Sequence, residues 1–289
     1  MWSRNKANLY IQDALVDFEP DFKNRLCSPP AQYRMYRDKL MLTHLVGFGG
    51  AAAGGIVGTS YLFNGLGKDT EPTVQGEYLL LADHSDWDFG AGEITAEAWC
   101  YNDSAGTAKN PIFCQSADDS NRHEFYANNT YKFKMIESSV EKVSFETGSR
   151  PPTDVWVHIA FERSGNVWTA FENGVIEGTP QTVSTTLGAL SAPVYIGKEP
   201  SQAGAGAYIT GQMDEIRVSD TARYGGSGFT PHTVPHSSDA NTLILISCTE
   251  TLTGTSGSGA TFTDSGNTGH TVTEIGGAIR TSTNAKFAD

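Results

Sequence analysis

Closely spaced carboxylates are the residues of this sequence that could do chemistry. A retaining glycosidase holds two carboxyl groups about 5–5.5 Å apart, and residues two positions apart on a strand share a face. Asp214 and Glu215 are adjacent, so we expect their side chains on opposite faces. Glu93 and Glu97 are four positions apart, with no acid between them. Since neither pair fits, and no G-x-S-x-G turn supplies a nucleophile, the sequence predicts a protein that is not an enzyme.

A short acidic loop is the candidate metal site. Asp83, Asp86 and Asp88 fall within six residues, and hard oxygen ligands at short spacing suit Ca²⁺. Asp118 and Asp119 form a second acidic pair. The alternative interpretation is a solvated acidic loop in an acidic protein, and no EF-hand motif favours the metal. Ca²⁺ is the one cofactor that the sequence suggests.

The segment Ser116–Tyr131 is the candidate glycan site. It concentrates side chains that hydrogen-bond sugar hydroxyls, namely Asp118, Asp119, Asn121, Arg122, His123, Asn128 and Asn129. It also carries aromatic residues that could stack on sugar rings. The alternative is a strand pair with polar loop ends, in which Phe125 and Tyr131 point inward.

Period-2 alternation defines the elements around these residues. Val155, Val157, Ile159 and Phe161 alternate with polar residues, and alternation resumes from Val167 after a Ser-Gly-Asn turn. An Asn-Gly pair at 173–174 then gives a strong hairpin signal. The pattern predicts an antiparallel meander with one buried face. We expect a core that contains Trp99, Trp156, Ile159, Phe161, Ile216 and Val218.

Charge and composition divide the chain into two parts. The 289 residues carry a net charge of −13, which argues against a nucleic-acid-binding surface. Residues 1–45 hold seven Lys or Arg against five acids, a net +2, so the remainder carries −15. Residues 60–289 are rich in Gly, Ser, Thr and Asn and show no amphipathic helix of usual length, which predicts an all-β sandwich.

The N-terminal residues are interpreted as an anchoring arm, 1–46, followed by a hinge, 47–59. A predicted helix from about Pro30 to Leu45 places Tyr33, Tyr36 and Leu40 on one side. Leu40–Phe63 contains no Asp, Glu, Lys or Arg and is long enough to span a bilayer. Gly and Ala fill its middle, so we favour a hinge over a membrane span. The first residues, MWSRNKANLY, show no signal peptide.

The four cysteines, Cys27, Cys100, Cys114 and Cys248, have no zinc-binding spacing. Cys100 and Cys114 lie in two predicted strands and could face each other. Buried free thiols are the preferred interpretation.

Several blocks of residues 60–250 resemble laminin-G-like, concanavalin A-like sandwich domains. The opening strands match at Phe63, Gly65, Tyr78, Leu79, Ser85, Trp87, Phe89, Gly90, Ile94, Thr95, Glu97 and Trp99. The hairpin VWVHIAFERSGNVWTAFENG and the closing GQMDEIRVSDTARY…FTP match as well. The resemblance implies a jelly-roll sandwich, core positions for Trp99 and Trp156, and a structural role for Asp214 as an acceptor for backbone donors. The tail FTDSGNTGHTVTEIGGA resembles a half-repeat that opens such domains and should add the completing strands.

The ending ARY…FTP resembles copies of this domain in tailed-phage virion proteins. The resemblance implies a virion structural protein, either a capsid decoration or head-fibre subunit or a tail-associated one, with residues 1–46 attached to other virion proteins. A lectin-like adhesin that binds surface glycans is the alternative. We expect a homo-oligomer on the virion surface.

Overall fold

The computed structural model describes residues 60–63, 76–102, 109–200, 207–248, 262–276, 279–281 and 286–287. All of them belong to Ile56–Asp289, one of the two units into which the chain divides. The predicted arm with Tyr33, Tyr36 and Leu40, and the predicted hinge 47–59, lie outside the described residues. Within the described ranges, no helix has the length and apolar character needed to cross a bilayer.

The described residues form an antiparallel β-sandwich of two sheets, as the sequence predicts. Its strands are β1 (Ser60–Phe63), β2 (Tyr78–Leu81), β3 (Ile94–Asn102), β4 (Asn110–Asp118), β5 (Asn121–Ala127), β6 (Tyr131–Glu137), β7 (Val140–Thr147), β8 (Trp156–Ser164), β9 (Val167–Glu172), β10 (Val175–Ile176), β11 (Gln181–Thr182), β12 (Val194–Ile196), β13 (Gly211–Ser219), β14 (Thr242–Ile246), β15 (Val272–Ile275) and β16 (Ile279–Thr281). A 3-10 turn, Ser85–Trp87, follows β2.

The two sheets differ in size. The nine-stranded sheet runs β10-β9-β8-β3-β13-β1-β16, with β11 beside β9 and β14 beside β13. The seven-stranded sheet runs β15-β2-β12-β4-β5-β6-β7. The tail does complete the fold, because β15 pairs with β2 in one sheet and β16 pairs with β1 in the other.

The predicted meander is confirmed in the nine-stranded sheet. Strands β8 and β9 pair from Ile159–Glu172 to Ser164–Val167, and the turn to β10 has positive φ at Asn173 (49°) and Gly174 (77°). Two positive φ angles suit the twist of a tight hairpin. A Cβ at Gly174 would lie 1.9 Å from the Phe229 carbonyl oxygen, so only glycine fits there.

The burial prediction is right for five of the six residues and wrong for Trp156. Ile159, Phe161, Ile216 and Val218 are fully buried between the sheets. Trp156 is only half-buried, because it is an odd number of positions from Ile159 and therefore lies on the opposite face. Trp99 is buried, but it too faces away from the inter-sheet core, which takes its neighbours Ala98 and Cys100. Trp87 and Trp168 occupy the core.

The preferred interpretation of the cysteines is confirmed for Cys100 and Cys114, which are free and buried. Cys248 is buried as well. Cys100 belongs to the nine-stranded sheet and Cys114 to the seven-stranded one. Burial raises the pKa of the Cys100 thiol far above its usual value, so this thiol is unreactive at neutral pH.

Trp168→Ala should destabilise the sandwich far more than Trp156→Ala. Trp168 is fully buried, and its indole nitrogen donates to the Val183 carbonyl at 3.1 Å. Truncation of Trp168 should lower the free energy of unfolding by roughly 3–5 kcal/mol. Truncation of the half-buried Trp156 should lower it by less than half of that. Denaturant unfolding of the two variants measures the contrast. Equal losses, or a larger loss for Trp156→Ala, would contradict the assignment of faces.

Candidate functional site

A fully buried carboxylate lies at the centre of the outer face of the nine-stranded sheet. Glu97 accepts from Arg217 at 2.7 Å (Nε) and 2.5 Å (Nη2), and from the Tyr224 hydroxyl. The His158 Nε2 atom lies 3.1 Å from its second oxygen. Burial alone would raise the pKa of Glu97, but the contact with His158 and the charge of Arg217 outweigh it and hold the pKa well below its usual value. Glu97 therefore stays ionised and paired.

A stretch without strands, residues 220–240, lies over this face and is called here the cover segment. Glu162 on β8 accepts from the backbone N–H of Tyr224 and of Gly226, each at 2.6 Å. The Tyr224 ring stacks on Phe229 with centroids 3.5 Å apart. Arg223 binds the Asp239 carboxylate through two nitrogens, at 2.5 and 2.7 Å. The A-R-Y…F-T-P motif thus folds the cover segment onto the sheet.

Asp214 and Glu215 lie at a bulge in β13, where the pairing with β3 shifts register. Glu215 has a φ of 52°, as in a bulge that re-aims side chains. Asp214 accepts from the backbone N–H of Cys248 at 3.0 Å and of Glu215 at 2.8 Å, the role that the resemblance implies. Glu215 accepts from the His236 backbone N–H at 2.5 Å.

These four acids serve the fold. Glu97, Glu162, Asp214 and Glu215 are each at most 2% exposed, and each accepts hydrogen bonds from protein groups. A glycosidase needs a pair of carboxyl groups that the sugar can reach. Among the described residues, the outer face of the nine-stranded sheet presents no such pair.

The outer face of the seven-stranded sheet carries a half-exposed aromatic group, which we call the tyrosine platform. Tyr78, Tyr195 and Tyr208 lie side by side, with centroids 5.8 Å (Tyr78–Tyr195) and 6.2 Å (Tyr78–Tyr208) apart. The Lys198 Nζ atom lies 4.5, 5.4 and 5.6 Å from the rings of Tyr78, Tyr195 and Tyr208. Desolvation lowers the pKa of Lys198 and raises that of Tyr78.

Sequence analysis missed the tyrosine platform because its members are far apart along the chain. One signal was present, since Tyr195 stands between the apolar Val194 and Ile196 on a short strand. Such alternation places the tyrosine on the face opposite the core.

The predicted glycan residues do not form one group. Asp118, Asp119 and Asn121 lie at the β4–β5 turn, whereas Asn128 and Asn129 lie at the β5–β6 turn. Strand β5 separates the two turns by roughly 20 Å. Phe125 and Tyr131 point into the core, which is the arrangement of the alternative interpretation.

Several of these polar side chains bind neighbouring protein groups. Asp118 accepts from the Ser120 backbone N–H at 2.7 Å, and Asn121 accepts from the Ser138 N–H at 2.9 Å. His123 is buried, with Nε2 2.9 Å from Glu137. Arg122 contacts Glu124 at 3.2 Å. Asp118, Asp119 and Asn129 are the exposed members.

The three aspartates predicted to bind Ca²⁺ lie in different surroundings. Asp83 and Asp88 are exposed, and Asp86 lies with His84 and His270 in a cluster of potential metal ligands. His158, His232 and His236 form the second such cluster found among the described residues. The three aspartates are not grouped together in either. Whether Ca²⁺ binds near Asp83, Asp86 and Asp88 stays a prediction.

Comparison with known proteins places this fold in a family. The sequence profile described as the concanavalin A-like lectin/glucanases superfamily matches residues 74–225, more than half of the chain. The chain therefore belongs to the concanavalin A-like lectin/glucanases superfamily. No curated protein sequence matches it.

Solved structures with a similar fold are distant in sequence. A Bacteroides ovatus structure described as carbohydrate-binding is 12% identical over 78% of this chain and 59% of its own, with a TM-score of 0.47. The heptameric SAP-like pentraxin from Limulus polyphemus is 14% identical over 79% and 96%, with a TM-score of 0.45. Tailspike protein 2 of an Escherichia coli O157:H7 bacteriophage is 11% identical over 60% and 27%, with a TM-score of 0.36. The chain thus spans 59% of the first structure and about a quarter of the tailspike.

Asp214→Asn should change the pH dependence of stability. Burial raises the pKa of Asp214 to about 7, although backbone hydrogen bonds act against this. In the unfolded chain this carboxyl has a pKa of about 3.9. Because the folded protein holds the proton more tightly, this group makes the wild type lose stability as the pH rises from about 4 through 7. Asparagine keeps the acceptor oxygen without the charge.

The melting temperature of Asp214→Asn relative to the wild type should therefore rise between pH 5 and pH 8. Thermal unfolding across that range measures the difference. A difference that is constant with pH, or that falls, would show that Asp214 ionises normally in the folded protein.

Proposed function

We propose that this chain is a non-enzymatic structural protein on the surface of a tailed-phage particle, where its sandwich contacts glycans and residues 1–46 attach it to other virion proteins. The observation that carries the glycan part is the tyrosine platform on a sandwich of the lectin/glucanase superfamily. In the first version of this proposal, the chain is a capsid decoration or head-fibre subunit. A tail-associated adhesin is the other version.

The state of the buried acids supports binding without catalysis. The Glu97 carboxylate is ionised and shared among Arg217, His158 and Tyr224, so it is unsuited to be a proton donor. Glu162 is engaged by two backbone N–H groups of the cover segment. A sugar could reach these groups only if the cover segment left the sheet.

The tyrosine platform has the chemistry that sugars require. A tyrosine ring offers an apolar face and a polar hydroxyl, and a pyranose offers apolar C–H faces rimmed by hydroxyls. Neighbouring rings of Tyr78, Tyr195 and Tyr208 would contact the C–H faces, while Lys198 and the phenol hydroxyls would bind the rim. The exposed Asp119 and Asn129 lie at turns on opposite ends of β5 and are the competing candidate for the contact, in place of the tyrosine platform.

The attachment role of residues 1–46 rests on charge and on the resemblance of the ARY…FTP ending to virion proteins. Residues 1–45 carry a net charge of +2, whereas the rest of the chain carries −15. Opposite charge balance along one chain favours two separate surfaces. We further propose that the particle carries several copies of the chain as a homo-oligomer.

Tyr195→Ala should weaken glycan binding about tenfold or more, as expected for truncation of an aromatic contact. A glycan array with the wild-type full chain identifies the sugar, and titration calorimetry compares the variants. The matched control is the double variant Asp119→Ala, Asn129→Ala, which should bind as the wild type does. Loss of glycan binding in the control, with binding retained in Tyr195→Ala, would move the site to the turns. The absence of any signal on the array would overturn glycan binding.

Deletion of residues 1–46 should leave a folded sandwich that no longer enters particles. Removing an attachment segment abolishes incorporation without disturbing the sheets. Particle occupancy, measured by quantitative mass spectrometry of purified virions, tests this, with circular dichroism of the truncated protein as the control for folding. Normal occupancy of the truncated chain would place attachment in the sandwich.

A further inference from the structure

The pairing of β2 with β15 brings two histidines and an aspartate together at one end of the seven-stranded sheet. Val272 pairs with Leu81, so the residues just before β15 lie beside those just after β2. His84 and Asp86 follow β2 at the 3-10 turn, and His270 precedes β15. Residues 184 positions apart in the chain thus become neighbours.

The donor atoms of these residues have metal-ligand spacing. The His84 Nδ1 atom lies 3.0 Å from Asp86 Oδ1, and the His270 Nε2 atom lies 2.9 Å from Asp86 Oδ2. One ligand atom from each residue falls within 4.8 Å of the other two. Two ligands that each bind Zn²⁺ at about 2.0–2.2 Å in a tetrahedral site are roughly 3.3–3.6 Å apart. The cluster is therefore compact enough for one ion.

The His84 ring nitrogen nearest Asp86 faces two groups that it cannot satisfy at once. The Asp86 backbone N–H donates to His84 Nδ1 at 3.2 Å, which requires a lone pair on that nitrogen. The same nitrogen lies 3.0 Å from the Asp86 carboxylate, which in its ionised state can only accept. Neutral His84 cannot satisfy both contacts. An ion bound by the nitrogen and the carboxylate together would replace this unfavourable approach of two acceptors, and the Asp86 N–H would then lose its contact with Nδ1, which has a single lone pair.

The surroundings orient the ligands and leave access. The Thr268 hydroxyl donates to Asp86 Oδ2 at 2.6 Å, as partners of metal-binding carboxylates do. The Trp87 ring packs on His270 with centroids 4.6 Å apart. The His84 side chain is 41% exposed, so an ion can enter from solvent. Burial would raise the pKa of Asp86, but hydrogen bonds from Thr268 and His270 lower it below its usual value, and the carboxylate stays ionised.

We propose that His84, Asp86 and His270 bind a divalent first-row transition ion, with Zn²⁺ as the expected ion, and that the ion fastens the segment 262–276 to the end of β2. Two imidazole nitrogens and one carboxylate suit Zn²⁺, Ni²⁺ or Cu²⁺, whereas Ca²⁺ takes oxygen ligands. The three protein ligands leave further positions for water. This site differs in ligand set from the Ca²⁺ site predicted at Asp83, Asp86 and Asp88.

The other histidine cluster is less suited and serves as the internal control. Both ring nitrogens of His232 have protein partners, since Trp99 donates to Nε2 at 3.2 Å and Nδ1 lies 2.6 Å from the Val234 carbonyl oxygen. His158 is fully buried with Nε2 against Glu97. A metal there would displace the Trp99 contact.

Titration calorimetry of the chelator-treated full chain with ZnCl₂ tests the proposal, with the variants His84→Ala, His270→Ala and His236→Ala. His84→Ala changes a partly exposed turn residue, so this variant should fold even if the His270→Ala variant does not. We expect one Zn²⁺ per chain, at least about a hundredfold loss of affinity in His84→Ala and His270→Ala, and wild-type affinity in His236→Ala.

Thermal unfolding and tryptophan fluorescence give independent readouts. Saturating Zn²⁺ should raise the melting temperature of the wild type and of His236→Ala by a few degrees, and leave His84→Ala unchanged. Cu²⁺ should quench the emission of Trp87, which packs on His270, and a Trp87→Phe variant checks this assignment. No Zn²⁺ binding by the folded wild type, binding lost only in His236→Ala, or binding of Ca²⁺ but not Zn²⁺ would each overturn the proposal.

Discussion

The ionised carboxylate of Glu97 is the constraint on which the nine-stranded sheet depends. A charge that is fully removed from water is tolerated only when it is paired and hydrogen-bonded. Strand β3 lies between β8 and β13, so His158 and Arg217 reach Glu97 from either side. Tyr224 supplies the third contact from above the sheet. Because that tyrosine belongs to the cover segment, the pairing of one buried charge also fixes the position of residues 220–240, and the outer face becomes a second, polar core.

That polar core explains which sequence-based predictions were right. Alternation located β8, β9 and the Asn173-Gly174 turn because those strands keep an apolar inner face and a tight turn that needs positive φ. Alternation alone does not say what covers the other face. The resemblance assigned Trp99 to a core position, and Trp99 is buried. It lies under the cover segment rather than between the sheets, and its indole nitrogen donates to His232. Trp156, on the same outer side, is only half-buried.

The candidate binding groups were hidden from the sequence for a different reason. Composition singled out Ser116–Tyr131. Strand β5 lies within that segment, so the polar residues at its two turns are at opposite ends of the sheet. The tyrosine platform and the His84–Asp86–His270 cluster each join residues from distant segments. The register of β2 with β12 and β15, and the bridge between Lys198 and Tyr208, bring them together. Of the residues that the sequence suggested for metal, only Asp86 lies in a ligand cluster. Its partners are nitrogen ligands, which spacing among acids could not indicate.

Strand β2 links the two proposed sites. Tyr78 begins the strand and belongs to the tyrosine platform, and His84 follows its far end. The strand has only four residues and depends on β12 and β15 for its hydrogen bonds. Since β15 comes from the tail, whatever holds residues 262–276 in place also holds the outer edge of β2, and with it the orientation of Tyr78. An ion at His84, Asp86 and His270 would therefore stabilise the tyrosine platform from the opposite end of the same strand, although it contacts none of its rings.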